Sequence, residues 1–200
     1  MLCILISSIT MASLVGKGQS APATMAINPT TKTVDQVGIT FTLNITIADV
    51  TEMWSYIIDL SWNASVLKCL GVTEGPFMKA FGSTVFLTKT PLPGEVPEIT
   101  CTFLTMIGAT GSGVLATVTF NSTAIGTTNL HIGGPLEGQP DVLDKNEIPI
   151  DVTVQDGSVT VIPEFPSSVI LPLFIIMATI IIIVVKVAWP RRRQAPINIP

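Results

Sequence analysis

From residue 39 to residue 162 the hydrophobic positions recur mostly at every second residue. In "ITFTLNITI", Phe41, Leu43, Ile45 and Ile47 fall on one face and Thr40, Thr42, Asn44 and Thr46 on the other, the pattern of a strand buried on one side. "WSYIIDLSW" follows, with Tyr56, Ile58, Leu60 and Trp62 on the inward face and Ser55, Ile57, Asp59 and Ser61 on the outward one. Further strands are predicted in "SVLKCLGV", "STVFLTKT", "EITCTFLTMI", "GVLATVTFNS", "TTNLHIGG" and "GSVTVI". They are punctuated by turn-forming stretches such as "TEGP", "PLPGEVP", "ATGSG" and "GGPLEGQPD". No segment between residues 24 and 162 sustains a helical period. About nine short strands with turn signals predict an all-β, antiparallel two-sheet sandwich of the jelly-roll kind over residues 24–162.

Two runs escape this alternation. Residues 1–16 are largely apolar and lead to small residues, with Ala21 and Ala23 in an A-x-A pattern. That predicts a secretory leader over residues 1–23. Residues 169–185 carry no charge and extend through Lys186, whose stem can reach an interface, to Trp189 and then Arg191, Arg192 and Arg193. This predicts a transmembrane helix over residues 169–189 and a cytoplasmic basic tail over residues 190–200, by the positive-inside rule. The sandwich is then extracellular, joined to the helix by a proline-stiffened linker over residues 163–168. In that compartment Asn44, Asn63 and Asn121, each heading an N-x-S/T triplet, are candidate glycosylation acceptors, whereas Asn28 is followed by proline.

Charge narrows the function classes. All 14 Asp and Glu lie between Asp35 and Glu164, and all three arginines lie at 191–193. An acidic domain without arginine is a poor surface for nucleic acid, which needs clustered cations. Catalytic signals are equally sparse. The one histidine, His131, sits at a strand end, and no G-x-S-x-G nucleophile turn, Gly-Lys-Ser phosphate loop or His/Cys metal spacing occurs. Asp141 and Asp144 lack the ligand order and central glycine of a calcium loop. The chain reads as non-catalytic, with no implied cofactor or metal.

The succession of segments resembles the cohesin domain. "VGITFTLNITIADV", "IIDLSWNASVLKCLGVTEGPF", "GSGVLATVTFNSTAIGTTNL" and "QDGSVTV" are similar, in that order, to the family's successive strands and glycine turns; Trp62-Asn63-Ala64 stands where the family commonly has an aromatic, Asp and Pro. The resemblance implies a surface module that recruits a dockerin-like domain or another envelope protein. Its partner face would carry Ser55, Ile57, Asp59, Thr100 and Thr102, although Ile57 stands where a polar residue is expected. It also implies that Cys69 and Cys101 point inward from opposite sheets, as a disulfide closing a loop of about 30 residues. A carbohydrate-binding module of the same sandwich type and a purely structural envelope component are the alternatives; against the former, Trp54, Tyr56 and Trp62 share the inward parity. Finally, Pro163-Glu164-Phe165, the apolar run and the arginines together resemble the PEF-type sorting tail of archaeal surface proteins, which implies processing by an archaeosortase.

Overall fold

The computed structural model describes residues 22–135, 138–163 and 167–188. Eleven strands and two helices follow one another: β1 (Ala23–Asn28), β2 (Thr31–Val34), β3 (Thr40–Ser61), β4 (Leu67–Glu74), α1 (Pro76–Lys79), β5 (Thr84–Leu87), β6 (Glu95–Phe103), β7 (Ala109–Ser122), β8 (Gly126–Gly133), β9 (Asp141–Asp144), β10 (Val152–Gln155), β11 (Gly157–Val161) and α2 (Ser167–Ala188).

The alternation is realised strand by strand. Phe41, Leu43, Ile45 and Ile47, then Tyr56, Ile58, Leu60 and Trp62, are all buried. The two strands predicted at 39–47 and 54–62 are, however, one 22-residue strand, β3. Its first half lies between β1 and β7, with β10 outside β1 and β4 outside β7. Its second half lies between β6 on one side and β8 and β9 on the other, with β5 outside β6 and β11 then β2 outside β8. The count among the described residues is therefore eleven rather than about nine. Nor is the pairing wholly antiparallel, since β1 runs parallel to β10 and β2 parallel to β11. The first strand also takes in Ala23, which is buried.

The switch of β3 between its two sets of neighbours is made by bulges. Going from Ile47 to Val50 to Met53, β3 advances three residues at each step while β7 advances two, from Gly113 to Gly111 to Ala109. A third extra residue enters where Met53 and Ser55 pair with the adjacent Asp144 and Leu143. Asp49 and Glu52 sit at positive φ, 57° and 56°, and their N–H groups, lost to the ladder, donate to Ser112 Oγ and Thr110 Oγ1 at 3.0 Å each. Bulges of this kind bend and twist a strand. An odd number of insertions also flips parity, which is why odd residues point inward before the bend and even residues after it.

One hydrophobic core fills the space between the layers. Phe120 stacks on Phe41 at 6.0 Å and meets Trp62 edge-on at 5.0 Å, a geometry that suits aromatic quadrupoles. Trp62 Nε1 donates to Leu67 O at 2.8 Å, and Tyr56 Oη donates to Leu115 O at 3.0 Å, tying the second half of β3 to β7. At one end α1, begun by Pro76, inserts Phe77 and Met78. Gly75 just before it passes so close to β7 that a Cβ there would lie 2.2 Å from Val114 O.

α2 runs 22 residues from Ser167 to Ala188. Its side chains are described from Leu171 to Lys186, and among the described residues no helix is long and apolar enough to cross a membrane. The expected leader up to residue 21, together with Glu164, Phe165, Trp189 and Arg191–Arg193, lies outside the described residues.

Candidate partner-binding face

The outward side of the β5–β6–β3–β9 layer is built on two rows set by strand register. Leu87 pairs with Thr100, Thr100 with Ile57, and Ile57 with Asp141. Val85 pairs with Thr102, Thr102 with Ser55, and Ser55 with Leu143. Beyond them Lys89 pairs with Glu98, and Asp59 lies opposite Gly133. Directly opposed residues share a face of a sheet. The structure thus brings together all five residues expected on this face, Ser55 with Thr102 and Ile57 with Thr100 as immediate neighbours.

Two of the five do other work. Ser55 is only 8% exposed, its short side chain lying between the larger Thr102 and Leu143 directly opposite it, so it is not the outward contact the sequence suggests. Asp59 accepts the N–H of Glu98 at 2.8 Å. Glu98 has φ 50° at the register shift between β3 and β6, so the carboxylate satisfies a donor that the bulge removes from the ladder. Sequence alone missed Val85, Leu87, Leu143 and Asp141. Leu87 is 62% exposed. Val85 and Leu87 alternate with Thr84 and Phe86, so the signal existed, but which side of β5 faces outward depends on its register with β6. The face that results is an apolar strip of Val85, Leu87, Ile57 and Leu143, interleaved with Thr100 and Thr102.

Behind this layer, on the core side, lies a polar cluster. Glu74 at the end of β4 accepts from Thr84 Oγ1 and from Lys79 Nζ, the latter at 3.0 Å, and Cys101 Sγ lies 3.5 Å from it. The expected disulfide is absent: Cys69 and Cys101 are both buried free thiols. Both point inward, as parity requires, but they sit at different heights. Cys101 touches Glu74, five residues along β4 from Cys69, or roughly 16 Å at strand rise, whereas a disulfide holds its Cα atoms within about 7 Å. Burial raises the Cys69 thiol, and burial together with the Glu74 carboxylate pushes Cys101 up to about 12. Both are protonated at neutral pH and poor nucleophiles. Burial would raise Glu74, but the hydrogen bonds from Thr84, Lys79 and Cys101 outweigh it and hold the carboxyl below its usual range. Burial first, then Cys101 and Glu74, push the Tyr56 phenol well above its ordinary value.

The remaining candidates are placed as follows. His131 is exposed, with Nδ1 2.7 Å from Asp156 Oδ2, and Asp156 Oδ1 accepts the N–H of Ile132 at 3.1 Å. The pair thus ties β8 to the β10–β11 junction. Asp144 closes its own turn by accepting from the N–H groups of Asn146 and Ile148 at 2.7 and 2.9 Å. Asn44 lies in β3, Asn121 in β7 and Asn63 in the exposed turn after β3. Trp62 and Tyr56 are buried and Trp54 half-buried, so none of the three forms an exposed platform, and Phe81 is the only exposed aromatic among the described residues before α2.

The cohesin domain family model matches residues 25–161, nearly the whole sandwich. The chain belongs to the cohesin domain family. Cohesin domains are non-catalytic modules that bind dockerin partners. Solved cohesins share the fold at low identity. A non-cellulosomal cohesin from the hyperthermophilic archaeon Archaeoglobus fulgidus is 16% identical, with a TM-score of 0.59 over 74% of this chain and 96% of that one. A cohesin from Clostridium acetobutylicum is 21% identical, with a TM-score of 0.56 over 70% of this chain and 90% of that one. The sixth cohesin of scaffoldin B from Acetivibrio cellulolyticus, solved in complex with a dockerin, is 17% identical, with a TM-score of 0.56 over 71% of this chain and all of that one. A search of curated proteins returns no match.

Proposed function

We propose that this cohesin domain is a membrane-tethered, extracellular recruiting module whose β5–β6–β3–β9 face holds a dockerin-like domain. The observation that carries the reading is the apolar set of Val85, Leu87, Ile57 and Leu143, drawn from β5, β3 and β9 with Thr100 and Thr102 of β6 between them. Small apolar anchors ringed by polar groups are what a specific contact uses. The glycan-binding alternative has no comparable support, because Tyr56 and Trp62 are buried and Trp54 is half-buried, so the three form no exposed platform. The partner that fits the proposal is an extracellular, dockerin-bearing protein, such as a polysaccharide-degrading enzyme held at the cell surface.

The anchor in this proposal is the uncharged run over residues 169–185, continued through Lys186 to Trp189, about the 20 residues a helical span needs. Arg191–Arg193 then face the cytoplasm, and Pro163-Glu164-Phe165 stands at the outer surface, where an archaeosortase would exchange the helix for another anchor.

The test is a pull-down with the soluble fragment 22–163, which contains the whole core, beside its Ile57→Asp and Leu87→Asp variants. Expected is a dockerin-bearing prey retained by the parent and lost by both variants. Equal retention by all three would move the site off this face, and retention on insoluble polysaccharide alone would replace the reading with the glycan one. Carbonate extraction of the full chain checks the anchor, which should stay in the membrane pellet.

A further inference from the structure

The three N-x-S/T triplets are equivalent in sequence but not in the fold. Transfer of a glycan forms a bond from the asparagine Nδ2 to the anomeric carbon of an oligosaccharide carried on a lipid phosphate. The carbon–oxygen bond to that phosphate breaks, the lipid phosphate leaves, and the amide gives up one proton to a base of the transferase. The site must therefore offer a free Nδ2, an unengaged hydroxyl two residues on, and a segment that can enter a transferase cleft.

Asn121 meets none of these requirements. Its Nδ2 donates to Gly38 O and to Thr40 Oγ1, at 3.2 and 3.3 Å. The hydroxyl two residues on, Thr123 Oγ1, donates to Ser65 O at 3.0 Å, and Asn121 itself is paired in β7 between β3 and β4. Asn44 is half-buried in β3, hydrogen-bonded between β1 and β7. Its Oδ1 accepts from Thr117 Oγ1 at 2.8 Å, and the hydroxyl of Thr46 donates to Ala26 O at 3.1 Å. Asn63 differs on every count. It is exposed, in the turn that follows β3. Its Oδ1 accepts the N–H of Ser65 at 2.9 Å, an Asx turn that holds the triplet in a tight loop and leaves Nδ2 with no acceptor among the described residues. Ser65 is also exposed, and its hydroxyl makes no hydrogen bond to another described residue.

We infer that Asn63 is the glycan acceptor of this chain and that Asn44 and Asn121 stay bare. The inference rests on the reading that the sandwich is extracellular. The glycan then stands beside the binding face without covering it, since Asn63 is six residues along the chain from Ile57, roughly 20 Å at strand rise. It borders the end of the face marked by Asp59 and Ser61.

The test uses the full chain purified from its own host's membranes, with peptide mapping by mass spectrometry. The expected result is a glycan-sized mass on the Asn63 peptide alone, lost completely in Asn63→Gln and kept in Asn44→Gln and Asn121→Gln. Ser65→Ala should also lose it while unfolding like the parent, because that change keeps the Asx turn and removes only a free hydroxyl. A glycan on Asn44 or Asn121, or none at any of the three, overturns the inference. Protease protection of sealed cells separates the causes: a sandwich digested from outside and yet unglycosylated refutes the site choice, whereas a protected sandwich refutes the topology beneath it.

Discussion

The single hydroxyl of Tyr56 offers a clean test of how the two layers are joined. The ring is fully buried, and its hydroxyl donates to Leu115 O at 3.0 Å. Tyr56→Phe removes the donor and almost no volume, so the cavity term is negligible. The size of the loss depends on what Leu115 O has left. That carbonyl also accepts the N–H of Gly75 at 2.8 Å, so it is not orphaned. The cost is then the net worth of one neutral hydrogen bond, about 1 kcal/mol, rather than the roughly 1–3 kcal/mol of a stranded buried acceptor. Urea unfolding of fragment 22–163 should show a midpoint lowered by roughly 0.5 M at unchanged slope, taking a slope of about 2 kcal/mol/M. A loss of about 3 kcal/mol or more would mean that Gly75 does not serve Leu115, and no loss at all would mean that the phenol finds water in place of the carbonyl. Either outcome refutes the reasoning.

Other consequences can be measured on the same fragment. Because Cys101 is pushed up to about 12 and burial also raises Tyr56, folding holds protons that the unfolded chain gives up. This stability is complete below about pH 8.5, the unfolded thiol value, and is lost as pH rises toward 12; Cys101→Ala should flatten that alkaline slope. Glu74 acts in the opposite direction. Its lowered pKa adds stability above the unfolded value of about 4.3 that fades as pH falls further, and Glu74→Gln should remove this acid-side dependence. Intact mass after unfolding in iodoacetamide without reductant should show both Cys69 and Cys101 alkylated; an unmodified pair would restore the disulfide. Deleting Thr51 removes one of the three extra residues in β3 together with its bulge, so Tyr56, Ile58 and Leu60 keep their partners and their inward side. A cooperative unfolding transition by circular dichroism is expected to persist in that variant, and its loss would mean that the bend cannot be made with two bulges.

What could be read from sequence was facing, and what could not was neighbourhood. Phe41 through Ile47 and Tyr56 through Trp62 declare their buried side by alternation alone, and the side taken by Ile57, Asp59, Thr100 and Thr102 follows from the same parity, whereas parity could not show that Ser55, on that side, is buried. The strands missed at Ala23–Asn28, Thr31–Val34, Asp141–Asp144 and Val152–Gln155 have four to six residues each. Such segments show too few periods to stand out, and they are strands because long-range partners complete their ladders. The bend in β3 was invisible for a related reason: Asp49 and Glu52 carry no glycine to announce a positive φ, and Ser112 and Thr110 stabilise them from far along the chain. The cysteine error has the same root, since parity gives the side of a sheet and not the height along it.

That difference between facing and neighbourhood also governs the chemistry of the face. An acidic chain with Asp59, Glu98 and Asp141 beside its proposed binding strip suggests, by composition, a partner drawn in by positive charge. The geometry argues otherwise. Glu98 is already paired with Lys89, and Asp59 is already occupied by the N–H of Glu98. Each would have to surrender an existing partner to meet a new cation, and exposed ion pairs return only about 0–1 kcal/mol. Asp141 is left as the one acid of the three without such an internal partner among the described residues. Attraction must then come mainly from removing Val85, Leu87, Ile57 and Leu143 from water, with Thr100 and Thr102 supplying hydrogen bonds. Contacts of that kind are governed by shape and dewetting rather than by long-range steering, and salt, which screens exposed charges beyond about 10 Å, has little hold on them.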